Sequence, residues 1–519
     1  MSRILFDYAR PVVESDPARA DVACFVGLAR ATGGSLPSAI QDWLETHGWL
    51  DGPFARSIAP PFSDIPIPIE NYATFASLFD PGGSAASYGT DYLAAAVRSF
   101  FAQGGRRCYV VRMDDPVAPQ DTPEDRARKL DELLPGDLYA VDDRRSWHGV
   151  GHLGGLPDVS YLVLPDLPVL SASTPTAAKG AVPVTPSGPE QFVECSRAST
   201  VLPAGLVYDR PAPRLAPADF GKWAAALGTI LARIQNSFRE VQFVAAFPLA
   251  QDPDAAAVAE NPSSEALAQD IHEVIGSEMP EVPGSGLSTA FLQLSYPWLK
   301  TTGSHVLQES LEPPDGVLAG ILARNSLTRG AFTSAVKIVP AEVSDVSPAL
   351  PQQETLVPST PLVWDGVSPK PLITRLSLFG FTPAGLRLLS DVTTYPGEAY
   401  RTARVHRLVS VISRAARRLG EQIVFRRNGP ALWARVEQSL QQLMTRLWRL
   451  NALEGASIQD AFSVRCDAST MTQNDLDQRR LVAEVTFTAA ATIELIRVTL
   501  ALETLDATAQ GVAMQAEAS

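Results

Sequence analysis

Cysteine, histidine and charge are all in short supply in this chain of 519 residues. Its four cysteines (24, 108, 195 and 466) lie far apart with no C-x-x-C spacing, which excludes a disulfide framework and a cysteine-rich metal site. Free buried thiols in a reducing compartment fit that pattern. Of the six histidines only His148 and His152 are spaced to share a helix face, as two metal ligands would be. Gly149, Gly151 and Gly154 oppose a helix there, and no nearby Cys or His completes a set, so this stretch reads as a surface loop with no metal. The same glycines match G-x-G-x-x-G. A dinucleotide site needs a strand before that motif and a helix after it, whereas here a charged run precedes it and Pro157 and a strand follow. Walker A and G-x-S-x-G sequences are absent, and no catalytic set or cofactor is expected. No apolar run reaches the roughly 18 residues of a membrane span. The start, Met1-Ser2-Arg3-Ile4-Leu5-Phe6-Asp7, lacks the apolar run of a signal peptide. Synthesis and retention in the cytosol, or exit by lysis, is the expectation.

Charged residues make up 19% of the chain, below the usual quarter, against 45% hydrophobic residues and a mean hydropathy of +0.03. Such a chain has surface to bury in neighbours as well as in itself, although a large well-packed soluble protein has the same numbers. The length implies two to four domains.

Residues 1–20 are too few and too polar for a domain. Ile4, Leu5, Phe6, Val12 and Val13 suggest an extended arm that cannot offset its own ordering entropy. Val22 to Leu28 is an apolar strand. Residues 33–61, punctuated by Pro and Gly, read as an inserted outer segment, as do the Ser/Thr/Pro/Ala-rich residues 171–190. Tyr92, Leu93, Ala96, Val97, Phe100 and Phe101 draw one helix face, ended by Gly104-Gly105 before the strand Cys108 to Arg112. A strand around Val159 to Leu164, a helix through Trp223, Leu227, Ile230, Leu231, Ile234 and Phe238, and a strand Val241 to Phe247 continue the alternation. Together they predict an α/β core with a buried sheet. Residues 340–371 hold seven prolines and no periodicity, as a loop or linker would.

The last hundred residues organise the rest. Tyr400, Val405, Leu408, Val409, Ile412, Ala416 and Leu419 form one apolar helical stripe. Trp433, Val436, Leu440, Leu443, Met444, Leu447 and Trp448 form a second, with Pro430 in its first turn. Residues 401–450 carry eleven arginines against Glu421 and Glu437, a net +9, so the remainder carries −23 toward the total of −14. β-Rich runs follow at Ala461 to Cys466 and Leu481 to Thr488. A last segment, Ile493 to Leu502, alternates a face that is apolar apart from Glu494 with a mixed one.

This order resembles the C-terminal domain of contractile tail sheath proteins, the family that wraps the tubes of contractile phage tails, R-type pyocins and phage-like injection systems. The resemblance rests on Arg407-Leu408, Leu432-Trp433-Ala434-Arg435-Val436, Gly455-Ala456 before Ala461 to Asp467, and Thr470 to Asp475 before a strand. Upstream, Phe25 to Ala29, Ala96 to Arg112, Ser295 to Trp298, Glu312 to Gly316 and Gly385 to Thr393 are also sheath-like.

The resemblance implies a subtilisin-like α/β core at residues 21–340 and a Pro-rich linker at 341–375. Beyond these it implies a helix-plus-sheet domain at 376–502 and a flexible tail at 503–519, making the whole α+β with extended arms at both ends. It implies a structural subunit and not an enzyme, with no cofactor, stacked as hexameric rings on an inner tube protein and meeting baseplate and terminal cap proteins. Assembly would be cytoplasmic, with release by lysis in a particle or virion. Arg404, Arg414, Arg417 and Arg418 would face an acidic tube. Ile4, Leu5, Phe6, Val12, Val13, Ile493, Leu495, Arg497 and Thr499 would form strands crossing between subunits.

The arginine face also fits a solvated helix surface. A nucleic-acid partner is not expected, since the chain is acidic (pI ≈ 5.0) and lacks a stacking-aromatic module. A specialised sheath paralogue at the baseplate or cap, a nucleic-acid-binding protein and a hydrolase-like enzyme stay open as alternatives.

Overall fold

Val22-Ala23-Cys24-Phe25-Val26-Gly27 offers no polar side to solvent, and as strand β1 (Val22–Gly27) it is buried along its whole length. The computed structural model describes residues 20–50, 60–79, 89–136, 139–140, 143–172, 211–251, 286–350, 372–423, 428–477, 480–490, 495–503 and 514–518. The strands that follow are β2 (Pro66–Ile69), β3 (Cys108–Arg112), β4 (Val159–Val163), β5 (Arg214–Leu215), β6 (Gln242–Ala246), β7 (Leu249–Ala250) and β8 (Leu292–Tyr296). Next come β9 (Trp298–Thr301), β10 (Val343–Ser347), β11 (Ser377–Thr382) and β12 (Gly385–Leu388). Eight of them form one sheet in the order β12-β11-β8-β6-β4-β1-β3-β2. The six inner strands run parallel, and antiparallel β2 and β12 close the edges. Parallel strands covered on both faces read as continuous apolar runs, which is why β1, β3 and β4 show no alternation. Pro66 and Pro68 fit β2 because an edge strand does not need every ladder donor.

The helices are α1 (Ser38–Thr46), α2 (Tyr72–Leu78), α3 (Tyr92–Ala102), α4 (Pro123–Leu133), α5 (Leu167–Ser171), α6 (Pro217–Ser237) and α7 (Asp315–Arg329). The α3 helix ends as its sequence implies, with Gly104 at a φ of +98°. It lies tight against α7 because two positions on α7 lack a side chain. A Cβ at Gly316 would sit 2.5 Å from Ala96 Cα, and one at Gly320 would sit 2.6 Å from the Phe100 carbonyl oxygen.

The second unit contains α8 (Glu398–Arg401), α9 (Ala403–Ile423), α10 (Pro430–Arg449), α11 (Ile458–Ala461) and α12 (Gln473–Asp477). Its antiparallel sheet, ordered β13-β14-β15-β16, comprises β13 (Phe462–Arg465), β14 (Arg480–Thr488), β15 (Leu495–Glu503) and β16 (Met514–Ala518). Val405, Leu408, Ile412, Val436, Leu440 and Met444 pack with Val464, Ala483, Val485 and Phe487 into a core separate from that of the large sheet.

The α/β expectation holds, and several boundaries move. Residues 33–50 are not an outer insertion: α1 lies there, and Leu44 and Trp49 are buried in the main core. The Pro-rich stretch begins with β10, which pairs with β9; residues 351–371 lie outside the described residues. Residues 376–388 belong to the large sheet through β11 and β12, so the second unit begins near residue 396. The tail beyond 503 carries β16. The arm residues Ile4, Leu5, Phe6, Val12 and Val13, the stretch 173–190 and Ile493 lie outside the described residues. Cys24, Cys108 and Cys466 are free and buried.

At the carboxyl ends of the parallel strands three acids are buried. Asp166 follows β4 and accepts the Leu28 amide at 2.8 Å, and burial holds its carboxyl well above the usual range. Glu312, with Ser99 donating to it at 2.5 Å, is pushed up by burial to about 8, and Asp315, opening α7, to about 7. A folded pKa above the unfolded one means that stability is fully present below about pH 4. It then falls by about 1.4 kcal/mol per pH unit and per group until the folded pKa is reached. Thermal unfolding should therefore show Tm declining from mildly acidic pH toward pH 8, and Glu312→Gln should flatten that decline and raise Tm at the alkaline end.

Candidate functional site

Helix α9 has apolar residues on more than one side of its basic sequence, and it lies across the amino-terminal ends of the large sheet. Val405, Leu408, Val409 and Ile412 face the small core. Arg407 and Arg414 point elsewhere, into the junction between the two units, and each is only 3% exposed. The Arg407 guanidinium forks onto Asp391, Nη1 donating to Oδ1 at 3.0 Å and Nη2 to Oδ2 at 2.6 Å, while Nε donates to the Ala331 carbonyl at 2.9 Å. Asp391 also accepts Gln293 Nε2 at 3.0 Å and the Ala335 amide at 2.9 Å. Burial alone would raise the Asp391 carboxyl; the charge and hydrogen bonds of Arg407 outweigh it and hold the group below the usual carboxylate range. One planar fork thus ties α9 to β8, to the segment after α7 and to the segment after β12.

Further along α9, Arg414 Nη1 donates to Ser160 Oγ of β4 at 2.7 Å and Nη2 reaches the Glu240 carbonyl. Arg417 pairs with the Glu240 carboxylate. Burial lowers Arg414 to about 10. His406, packed edge-on to Phe291 with ring centroids 4.9 Å apart, is driven down to about 3 by burial and by Arg407, Arg239 and Arg414, so it is a neutral ring at physiological pH. Val392 bridges Thr402 in antiparallel fashion, and Thr393 Oγ1 donates to the Tyr400 carbonyl at 2.8 Å.

This overturns part of the expected tube surface. Arg414 is buried under the large sheet and cannot touch a tube, because the helix face that carries it is the face that docks. Arg417 is half-buried and paired, and Arg404 and Arg418 are partly buried. The exposed basic surface lies one helix later. On α10 the solvent side presents Arg435, Gln438, Gln441, Gln442, Arg446 and Arg449, running on to Leu450, which is 49% exposed. The residue types were visible in the sequence, but which arginines point inward depends on where the large sheet lies.

Among the described residues the small sheet has two open edges, β13 and β16. The strand expected to cross between subunits is held on both sides within the chain. Leu495, Arg497 and Thr499 of β15 pair with Thr488, Thr486 and Glu484 of β14, and Arg497 and Thr499 pair also with Glu517 and Gln515 of β16.

The G-x-G-x-x-G stretch is not a surface loop. It forms tight turns over Gly149–Gly155 whose glycines accept aromatic rings: a Cβ at Gly151 would stand 2.8 Å from Tyr139, and one at Gly155 would stand 2.6 Å from Trp49. His152 is fully buried and its Nε2 lies 2.7 Å from Asp64 Oδ1, with His148 Nδ1 3.1 Å from Oδ2. Burial favours the neutral acid at Asp64, but hydrogen bonds from both histidines override it and lower its pKa. Asp64 is some 80 residues upstream of both histidines, so spacing gave no hint of it. Among the described residues no group of three or more His, Cys, Asp or Glu side chains is placed to hold a metal.

Residues 396–503 match the family model described as the phage tail sheath C-terminal domain. No curated protein matches the chain. Among solved structures, the chain is similar to one from the anti-feeding prophage (AFP) baseplate in contracted state, with a TM-score of 0.55 at 17% identity over 94% of this chain and 93% of that one. It is also similar to one from the six-fold symmetrised AFP baseplate, with a TM-score of 0.52 at 16% identity over 91% and 89%. A third is from the sheath complex of PVC, an extracellular contractile injection system, in contracted state, with a TM-score of 0.50 at 15% identity over 91% and 88%. By fold, then, this is an α/β protein similar to chains seen in contractile injection machines. Its second unit matches the model of the phage tail sheath C-terminal domain, and the resemblance to the contractile tail sheath family is one of sequence there and of fold over the whole chain.

The junction generates a test. Removing one partner of a buried pair leaves the other charged and unsatisfied, at about 3–5 kcal/mol, whereas replacing both with apolar residues is close to neutral. Asp391→Asn or Arg407→Met should therefore lower stability by about that amount in urea unfolding, and Asp391→Leu combined with Arg407→Met should recover most of it.

Proposed function

We propose that this protein is a structural sheath subunit of a contractile injection system, polymerising around an inner tube in an extended state and contracting to drive the tube into a target. The observation that carries this reading is the sheath C-terminal domain at residues 396–503, seated on a large α/β core through the Arg407–Asp391 fork. A domain fixed in this way transmits force as a rigid piece, and contraction then repacks whole subunits between two arrangements with no nucleotide consumed. The subunit is non-enzymatic on this reading, assembles in the cytosol with itself, an inner tube protein, baseplate and cap proteins, and leaves in a released particle. No helix among the described residues is long and apolar enough to cross a membrane. A second reading, a sheath paralogue at the baseplate, is favoured by the likeness to chains of the AFP baseplate. Negative-stain images of the overexpressed chain with its tube separate the two: long striated cylinders mean the main sheath, and short collars mean the paralogue.

On this reading the tube-facing charge belongs to α10. Like charges at a close interface cost several kcal/mol, and exposed helix charges cost the subunit only tenths. Changing Arg435, Arg446 and Arg449 together to Glu should abolish co-purification with the tube and leave the circular dichroism unchanged. Arg414→Glu should instead unfold the subunit, since it buries a carboxylate beside Ser160 and the Glu240 carbonyl. Tube binding by the triple variant at wild-type level rejects the α10 assignment.

The open β13 edge is the place for a neighbour's arm. Residues 1–18 carry two short apolar runs, Ile4-Leu5-Phe6 and Val12-Val13, of the kind that an added strand can bury. Their deletion should leave a folded subunit that no longer forms cylinders, checked by circular dichroism and sedimentation.

A further inference from the structure

Among the described residues four large apolar side chains are exposed: Val339, Phe381, Leu450 and Ile458. Leu450 ends the α10 surface. The other three lie at two places whose charges are opposite in sign. The first is the edge of the large sheet, where β11 and β12 form a hairpin. Its turn is closed by Thr382, whose hydroxyl donates to the Gly385 carbonyl at 2.8 Å and accepts the Ala384 amide at 3.2 Å, and Gly385 takes a φ of +98°. Phe381 shares a strand face with buried Phe379 but is 47% exposed, so the hairpin carries that face past the end of the core. Residues 337 and 338 run along the outside of β12. The Lys337 amide donates to the Leu388 carbonyl at 2.8 Å, and the Ile338 carbonyl accepts the Leu388 amide at 3.0 Å. Val339, 53% exposed, follows beside the same edge. Arg387 lies opposite Gly380 and donates to the Lys337 carbonyl at 3.3 Å. Residues 328–341 and 372–390 contain no acid, and Lys337 and Arg387 form no ion pair among the described residues.

The second place is the corner between α10 and β13. Trp448 Nε1 donates to the Gly455 carbonyl at 3.2 Å and the Glu454 amide to the Thr488 carbonyl at 2.9 Å, which fixes the corner against the small sheet. Ile458, opening α11, is 36% exposed. Glu454 and Asp460 flank it in sequence, both exposed and without a cationic partner among the described residues, and no Lys or Arg occurs from Leu450 to Val464.

We propose that the β11–β12 hairpin of one chain docks on the 454–460 corner of a second copy, Phe381 and Val339 covering Ile458 while Lys337 and Arg387 face Glu454 and Asp460. This rests on the sheath reading and adds a contact to it. Apolar burial supplies the affinity, and the opposite charges select partner and register. The contact is made by side chains and adds no strand to either sheet, since the outside of β12 is already occupied at Leu388. Hairpin and corner are different surfaces, so the contact is head-to-tail and propagates from copy to copy.

The test uses the full chain with its tube. Lys337→Glu and Glu454→Lys should each cut the yield of cylinders by about tenfold or more with circular dichroism unchanged, because both side chains are exposed, and the two changes together should restore the yield. In a Cys195→Ser background, a mixture of Ala384→Cys and Gln459→Cys chains should give a covalent dimer with a short bismaleimide, and neither variant alone should do so. With wild-type cylinders in hand, single reversals that assemble normally, a double reversal that fails to assemble, or a mixture that yields no dimer overturns the contact and leaves the sheath reading in place. A wild-type chain that forms no cylinders with its tube rejects that reading, and the dimer from the mixture at high concentration then decides the contact by itself: its presence supports the docking and its absence overturns it.

Discussion

The Arg407–Asp391 fork is the constraint on which the arrangement of the chain depends. A carboxylate fully withdrawn from solvent is tolerable only where every lone pair is occupied, and Asp391 meets that condition with groups from three separate stretches: Arg407, Gln293 and the Ala335 amide. Each donor is fixed by its own element, so the fork closes only when α9 sits at one height and one rotation over the large sheet. Buried ion pairs are weak contributors to stability. Their strength here is geometric, since an α9 displaced by one turn would leave both charges stranded. Arg414 on Ser160 and Arg417 on Glu240 then repeat the same docking further along the helix.

The two ends of the parallel sheet solve opposite electrostatic problems. Its amino-terminal ends receive the cationic side of α9, with a neutral His406 among the arginines because burial and the charges of Arg407, Arg239 and Arg414 all oppose its protonation. Its carboxyl-terminal ends carry Asp166, Glu312 and Asp315, where burial outweighs the pull of Lys129 on Asp166 and of Arg98 on Glu312 and raises all three acids. The sharply basic segment in an otherwise acidic chain is thus partly an internal matter: some of its charge is consumed in docking, and only the remainder, on α10, is offered outward.

The elements were legible in the sequence wherever one apolar face decided them. The stripes of α9 and α10, the Gly104 stop after α3 and the unbroken runs of β1 and β4 all follow from local pattern. Pattern could not say which way a polar residue points when its partner is far along the chain. Arg414 and Arg435 look alike in sequence, yet one meets a serine 254 residues away and the other meets solvent. The same limit hid the Asp64 anchor of the two histidines. It also hides the core role of Trp49, because a segment dense in Pro and Gly reads as an outer excursion while Trp49 packs inward against Gly155. Arg407 and the stretch Ser390 to Thr393 did stand out separately as sheath-like, and the structure makes them partners.

A subunit that must both hold its shape and exchange neighbours needs its interactions graded by strength, and the chain is ordered that way. Charge pairs closed off from water fix the second unit to the first. The nine-residue β14–β15 ladder holds the small sheet, with Ala483, Val485 and Phe487 buried beneath it. Outside these, β16 and β13 are, among the described residues, the edge strands of the small sheet, and an edge is the part of a sheet most ready to accept another strand. Backbone pairing is tolerant of sequence and close to neutral on exchange, so contacts made there can persist while subunits turn against one another. Side-chain forks such as Arg407–Asp391 cannot do so, because they exist at one geometry only. On the proposed reading, that division places rigidity inside the subunit and compliance between subunits, which is the distribution a contracting cylinder requires.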